Sequence, residues 1–293
     1  MRTLKPFRAT YDAGQSGLAP SVVRPRTGFR PWPIGLFLLV LPLWAGPGLR
    51  LGMRAAWDEY VEAVDTNLIN SAGDAEFLRI SKEPYQIQDE VRRGGVFVTQ
   101  VVPSEASPLL SGSIHHWVGT VFIPGATLAD VMAVERDYDR YPEWFAPTIT
   151  HAGLIARAGD RDQVAIRYVN TTFFLTTVLE AEYDTQYVRC DPRRWYSISK
   201  STRVQEFHNY GKPEERKMAV DDPSAYLWRI HGISRYEQKD NGVYIEQENI
   251  ALGRRIPASL RWIVEPAVRH LAKDLMRKSL EQTRAAILAK SRE

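Results

Sequence analysis

A chain of 293 residues, 44% apolar and 25% charged, has the make-up of an ordinary globular protein with room for one large domain or two small ones, which excludes wholesale disorder. Its formal net charge of +3 is too small at this length for a general nucleic-acid binder. The single cysteine, Cys190, excludes an intramolecular disulfide and a thiolate metal cluster, so the fold must rest on its core.

Residues 1–52 read as a leader. Arg24, Arg26 and Arg30 precede an uncharged, apolar run over 31–49, densest from Ile34 to Trp44. The dense part is short of the ~20 residues that span a bilayer comfortably, and Pro42, Gly46 and Pro47 disfavour one unbroken helix. Export by a signal segment cleaved after Gly48, an uncleaved anchor and a misassigned start all fit. An exported or membrane-anchored protein is the expectation.

Residues 53–110 read as a helical extension and linker. Trp57, Tyr60, Val61, Val64 and Leu68 recur at three- and four-residue steps and predict one amphipathic helix closed near Gly73. Gly94 to Gly112 mixes a short β-like run, Val96 to Val102, with Pro and Gly, and reads as linker.

Residues 111–293 are more orderly. His116 to Ile123 predicts a first strand, closed at Pro124-Gly125, and Thr127 a helix cap. Two short helices interrupted at Pro142 should follow, then strands near 148–157, 163–169, 173–188 and 194–207. A charged loop from Gly211 to Asp222 leads to strands 225–239 and 243–252, joined through Asp240-Asn241-Gly242, where Asn-Gly is a hairpin signal because both residues tolerate positive φ. Leu260, Ile263, Val264, Ala267, Val268, Leu271 and Leu275 predict a long terminal helix, kinked or restarted at Pro266. Its apolar side needs a broad partner, and the antiparallel sheet is the one on offer.

Order and motif coincide here. The stretch Ser113 to Thr127 (SIHHWVGTVFIPGAT), Asp137 to Trp144 (DYDRYPEW), Ser201-Thr-Arg, Tyr226-Leu-Trp-Arg, Gly242 to Glu248 (GVYIEQE) and Ile256 to Trp262 (IPASLRW) resemble, in order, a bacterial group within the START/SRPBCC superfamily. The resemblance covers roughly the last 180 residues, about one domain. It implies an α+β helix-grip fold: a curved antiparallel sheet of about seven strands wrapped around a long C-terminal helix, with two short helices after the first strand. It further implies a cavity between sheet and helix for a hydrophobic small molecule, lipid, sterol-like or polyketide-like, bound or transported without catalysis. Some members of the superfamily are cyclases or aromatases, which keeps an enzyme of that type as the alternative, with Arg203, His231, Tyr183 and Glu248 moving protons.

Laid on such a cavity, the candidate ligand contacts are Tyr141, Trp144, Tyr168, Leu179, Tyr183, Ser199, Arg203, Trp228, Glu248 and Leu271. Tyr138, Tyr141, Trp144 and Phe145 form one aromatic element, either a cavity wall or plain core. By period two, Trp195, Ser197, Ser199, Ser201, Arg203, Gln205 and Phe207 share a strand face. If it points inward, Arg203 needs a partner, Glu246 or Glu248, and could anchor a ligand anion; if outward, the pair is a surface salt bridge.

Other chemistries find little support. The six histidines lack metal-ligand spacing, Gly46, Gly48 and Gly52 do not form a dinucleotide loop, and no GxSxG elbow is present. No catalytic residue, metal or cofactor is assigned. From Arg254 to Glu293 ten basic residues face four acidic ones, so an anionic membrane surface is a second candidate partner and a solvated face the plainer reading.

Overall fold

In the computed structural model, residues 47–74, 76–102, 114–172, 175–257 and 259–291 are described. The leader (1–46), and with it the question of a signal or an anchor, lies outside them. No helix among the described residues is long and apolar enough to cross a membrane.

The chain enters as α1, Pro47–Ser71, which starts ten residues before the predicted stripe. Trp57, Val61 and Leu68 are buried, so the stripe does mark its packed face. A 3-10 turn, Arg79–Lys82, and α2, Tyr85–Arg92, follow. The segment read as linker contains β1, Val96–Gln100, paired antiparallel with β2, Ile114–Pro124. Two β-branched residues, Val96 and Val98, are buried on one side of β1, so the short run gains packing as well as hydrogen bonds. Thr127 caps α3, Leu128–Glu135, in a reciprocal box: its hydroxyl accepts from the Asp130 N–H, and the Asp130 carboxylate accepts from the Thr127 N–H. A 3-10 turn, Tyr138–Arg140, and α4, Tyr141–Trp144, complete the two short helices.

Strands β3 (Ile149–Ala158), β4 (Arg161–Thr172), β5 (Leu175–Asp191), β6 (Arg194–His208), the two-residue β7 (Arg216–Lys217), β8 (Leu227–Lys239) and β9 (Gly242–Gly253) then precede α5, Arg261–Lys290. The sheet is antiparallel throughout, in the order β1-β2-β9-β8-β6-β5-β4-β3, with β7 on β6. It has nine strands where about seven were expected; β1 and β7 are the additions. The fold is the helix grip. At about 1.5 Å per residue α5 is about 45 Å long and runs on through Pro266 without a break.

The β8–β9 hairpin corrects a detail. Positive φ falls on Asp240 and Asn241, at 56° and 58°, not on Gly242. Gly242 is needed because a Cβ there would lie 2.4 Å from the Ile123 carbonyl oxygen of β2.

Each face of the sheet has its own helical layer. On one face Trp117, Val121, Ile123, Ile245 and Tyr236 pack under Met276, Leu280, Ala286 and Ile287 of α5 and under α3. On the other, Phe122, Tyr196, Ile233 and Tyr244 pack under Leu68, Phe77, Leu78, Ile80 and Val91, while Ile250 and Leu252 pack under Ala56, Trp57 and Val61. The N-terminal extension is therefore a structural layer of the domain. We call the α5 side the inner face.

Candidate ligand site

Side chains alternate between the faces, so register sorts the polar residues. The outer face buries a charge network beneath α1 and the Arg79–Lys82 turn. Arg235 donates to Glu248 at 2.7 Å and to Glu246 at 3.3 Å; His116 Nε2 pairs with Glu248 at 2.6 Å, and Tyr60 Oη with His116 Nδ1 at 2.7 Å. The Arg79 and Ile80 N–H groups and the Thr120 hydroxyl donate to Glu246 at 3.1–3.2 Å. Burial pushes the Glu248 carboxyl up, but the His116 hydrogen bond and the Arg235 charge overcome that and hold it at about 2. Nearby, Asp65 of α1 accepts from Lys200 at 2.7 Å and pairs with His231 at 2.8 Å. Buried charge is tolerated here because every member is paired. The network clamps the extension to the sheet.

The inner face is covered along part of its length only. α5 lies along β1 and β2 and against α3 and α4. Its C-terminal half is buried at Met276, Leu280, Thr283, Ala286 and Ile287. Its N-terminal half is not: Trp262 is 75% exposed and Ile263 45%. The floor shows the same division. Gln247 of β9 meets Ser279 of α5 at 3.5 Å, whereas Asn249, two residues on and hydrogen-bonded in register between Trp117 and Gly232, is exposed. An exposed side chain in the middle of a strand flanked on both sides means that no layer covers it. The buried Trp117 beside it has an indole N–H without a hydrogen-bond partner among the described residues.

The candidate groove is this uncovered stretch: β9, β8, β6, β5 and β4 lie beneath it and α5 borders it. The aromatic element closes the end, with Tyr141 ring centroids 5.3 Å from Tyr138, 5.0 Å from Phe145 and 6.4 Å from Trp144. Half-buried Tyr141, Trp144, Tyr168, Leu179, Leu227 and Ile230 pack around buried Tyr138, Ala181, Tyr183 and Val204, giving an apolar surface that is still reachable. Polar groups on it are few and mostly paired: Ser199 with Thr185 at 2.9 Å, and Ser197 with Tyr236 at 3.4 Å.

Glu135 is the exception. It sits on the packed side of α3, seven residues after Leu128 and four after Val131, both buried. Burial raises its carboxyl to about 7, against a hydrogen bond from Tyr236 that lowers it. Its backbone carbonyl accepts from Tyr141 Oη at 2.7 Å and Tyr187 Oη at 3.2 Å, and Tyr138 and Tyr187 share a further bond of 2.8 Å. Burial also holds the phenols of Tyr141, Tyr187 and Tyr236 well above their ordinary range.

Of the predicted contacts, Tyr141, Trp144, Tyr168, Leu179 and Tyr183 come together in one cluster, and Ser199 lies on the same face. Arg203 does not. The β5–β6 register pairs Tyr183 with Ser201 and then Glu182 with Arg203, so Thr202 is an extra residue that reverses the alternation. Val204 turns in, and Arg203 pairs with Glu182 on the outside, not with Glu246 or Glu248. A second irregularity, between Leu227 and Arg229, sends Leu227 inward and leaves Trp228 against α1, its indole donating to the Asp222 carbonyl at 3.0 Å. Glu248 and His231 belong to the outer network, so of the four residues offered for proton movement only Tyr183 faces the groove. Leu271 is half-buried on α5 and joins neither inner cluster. Glu135, Tyr187 and Tyr236 were missed. For Glu135 a signal existed, a carboxylate on the apolar stripe Leu128, Val131, Glu135.

No family model and no curated protein matches the sequence. Solved structures similar to it include a STAR-related lipid transfer protein fragment from Xanthomonas axonopodis, at 16% identity over 66% of this chain and 93% of that one, with a TM-score of 0.47. Human StAR-related lipid transfer protein 5 is 13% identical over 81% of this chain and 98% of its own, TM-score 0.46. The Zhui aromatase/cyclase of Streptomyces sp. R1128 is 12% identical over 61% and 96%, TM-score 0.40.

Proposed function

We propose that this protein binds, and carries without chemically altering it, a hydrophobic small molecule seated in the groove between the inner face of the sheet and the N-terminal half of α5. The observation behind this reading is the exposed Asn249 at the centre of the sheet beside half-buried aromatic and aliphatic walls. Apolar surface left open inside a fold gains free energy when a ligand removes it from water, at about 25 cal/mol per Å².

Native mass spectrometry of gently purified full-length chain is the test. A co-purifying small molecule, lost on denaturation and absent from a Gly232→Leu variant that keeps its folded spectrum, is the expected result. A chain that carries no adduct and does not respond to an apolar fluorescent probe overturns the proposal.

The setting we infer is extracytoplasmic or membrane-proximal, on the cationic flank and apolar run of residues 24–49. Fractionation of the native host should find the protein outside the cytosol; recovery in the cytosol refutes it. The basic residues of α5 favour contact with anionic lipid. Sedimentation with liposomes should rise with anionic lipid content and fall with salt; insensitivity to both removes the membrane from the reading.

A further inference from the structure

Partners across an antiparallel ladder point to the same face, so register reads out the inner row at the uncovered stretch. Trp117 of β2 lies opposite Asn249 of β9, Asn249 opposite Gly232 of β8, Gly232 opposite Ser199 of β6, and Ser199 opposite Thr185 of β5. The inward positions from Ile245 to Ala251, Ile230 to Tyr236, Trp195 to Ser201 and Leu179 to Tyr187 are all uncharged, whereas the outward ones between them include Glu246, Glu248, Arg235, His231 and Lys200.

The polar groups of this neutral floor are mostly spent within the protein. Ser199 bonds Thr185, Ser197 bonds Tyr236, Ser201 Oγ accepts from the Ile230 N–H at 2.9 Å, and Ser279 reaches Gln247. Asn249 is different: it is exposed, and its amide has no hydrogen-bond partner among the described residues. Nor has the indole N–H of buried Trp117, next to it in the row. The Asn249 side chain leans over Gly232, where an added Cβ would meet its Oδ1 at 3.5 Å and Ser199 Cβ at 3.8 Å. Two unmatched hydrogen-bonding side chains and one missing side chain therefore adjoin where α5 leaves the sheet open.

Asparagine is a poor strand former, and a floor meant for hydrocarbon alone would be better served there by valine or leucine. A floor meant for an ion would carry a counter-charge, as the outer face does. An uncharged amide among apolar walls suits a neutral oxygen. Resting on the groove reading above, we propose that Asn249 is the recognition point for such a group: the bound molecule is hydrophobic and carries a ketone or hydroxyl oxygen that lies over Gly232 and accepts a hydrogen bond from the Asn249 amide. Gly232 leaves the room for it between Asn249 and Ser199, and the Trp117 N–H is an unused donor on the same side.

The probes are 2-acetylnaphthalene, 2-isopropylnaphthalene and 2-naphthoate, which share a ring system and differ only in a substituent of equal size: a neutral oxygen, a hydrocarbon or an anion. Equilibrium dialysis against the full chain at pH 7 should show the ketone held at least about tenfold more tightly than the naphthoate. The carbonyl carbon of the bound ketone, labelled with carbon-13, should resonate downfield of its position in cyclohexane, the mark of a hydrogen bond. Both readouts come from wild type, so no folding defect can produce them. Asn249→Leu should return the resonance towards the cyclohexane position while 2-isopropylnaphthalene binds undiminished. A ketone resonance at the hydrocarbon position in wild type, the same resonance in wild type and Asn249→Leu, or naphthoate bound as tightly as the ketone overturns the assignment while leaving the groove reading intact. Failure of all three probes to bind wild type removes the groove itself.

Discussion

The two faces of the sheet treat buried polarity in opposite ways. Outside, α1 and the segment after it cover β2, β9, β8 and part of β6, and each carboxylate buried beneath them is matched by a cation or a row of N–H donors. Inside, α5 covers only part of the face, and Asn249 in the middle of β9 stays exposed. Two glycines mark the division. A Cβ on Gly119 would lie 2.6 Å from Leu280 Cδ1 and 2.9 Å from Met276 Sδ, whereas one on Gly232 would meet Asn249 Oδ1 at 3.5 Å and Ser199 Cβ at 3.8 Å. Close packing and complete pairing go with a layer that serves structure. Open space goes with a surface that receives something.

The contrast is broken most severely on the outside. Glu248→Ala leaves Arg235 and His116 with less than their buried partners, and removing one member of such a network costs about 3–5 kcal/mol. Urea denaturation at pH 7 should show a loss of that size; a loss below about 1 kcal/mol would mean the extension is not clamped by charge. Because the folded carboxyl is held at about 2, below its ordinary 4.5, its contribution is complete above pH 4.5 and fades as the pH falls towards 2.

Inside, removal of an acid should have the opposite sign. Glu135 is raised to about 7, so below pH 4.5 it is protonated in both states and costs nothing. Between 4.5 and 7 the unfolded chain ionises and the folded one does not, and stability falls by about 1.4 kcal/mol per pH unit, levelling off near about 3 kcal/mol above pH 7. Glu135→Gln should flatten that slope and be the more stable protein at pH 8. Parallel stability curves for wild type and variant from pH 5 to 8 would show that Glu135 has a counter-charge after all. Next in size is Gly119→Ala, expected to cost about 1–3 kcal/mol by overpacking the closed half of the face, read as a lower denaturation midpoint. A neutral result would place α5 farther from β2 than its side chains indicate.

Fold was more legible than site, and the reason is the range over which each is encoded. The alternation at Leu179, Ala181 and Tyr183, the turn at Asp240-Asn241 and the apolar stripe of α5 are local patterns, and they located the long strands and the terminal helix. β1 was read as linker because a five-residue strand between glycines and prolines declares itself only through its partner β2. The site depends on parity, and parity is fragile. One extra residue at Thr202 moved Arg203 to the opposite face, and another irregularity did the same to Trp228. Glu248 was placed in a cavity because the sheet was expected to have one covered face, whereas α1 gives it a second. Glu135 stands on the apolar stripe of α3, yet a single carboxylate there reads as the end of a helix, and only the fold brings the tyrosines of β5 and β8 to it.

The smallest effect on stability is the sharpest test of the comparison. Gly232 has ordinary extended backbone and a Cβ there makes no contact closer than 3.5 Å, so Gly232→Ala should change stability by no more than about 0.5 kcal/mol, or raise it slightly by stiffening the unfolded chain. Gly232→Leu goes further: three more carbons extend over Ser199 and Asn249 into the space a ligand would occupy. Apolar probe binding should then fall at least about tenfold while the denaturation midpoint stays near that of Gly232→Ala. Two glycines on one face of one sheet, the same substitution at each, and opposite consequences would separate the part of the inner face that is packed from the part that is open. If Gly232→Ala instead costs as much as Gly119→Ala, α5 covers both halves in solution and the inner face is an ordinary core.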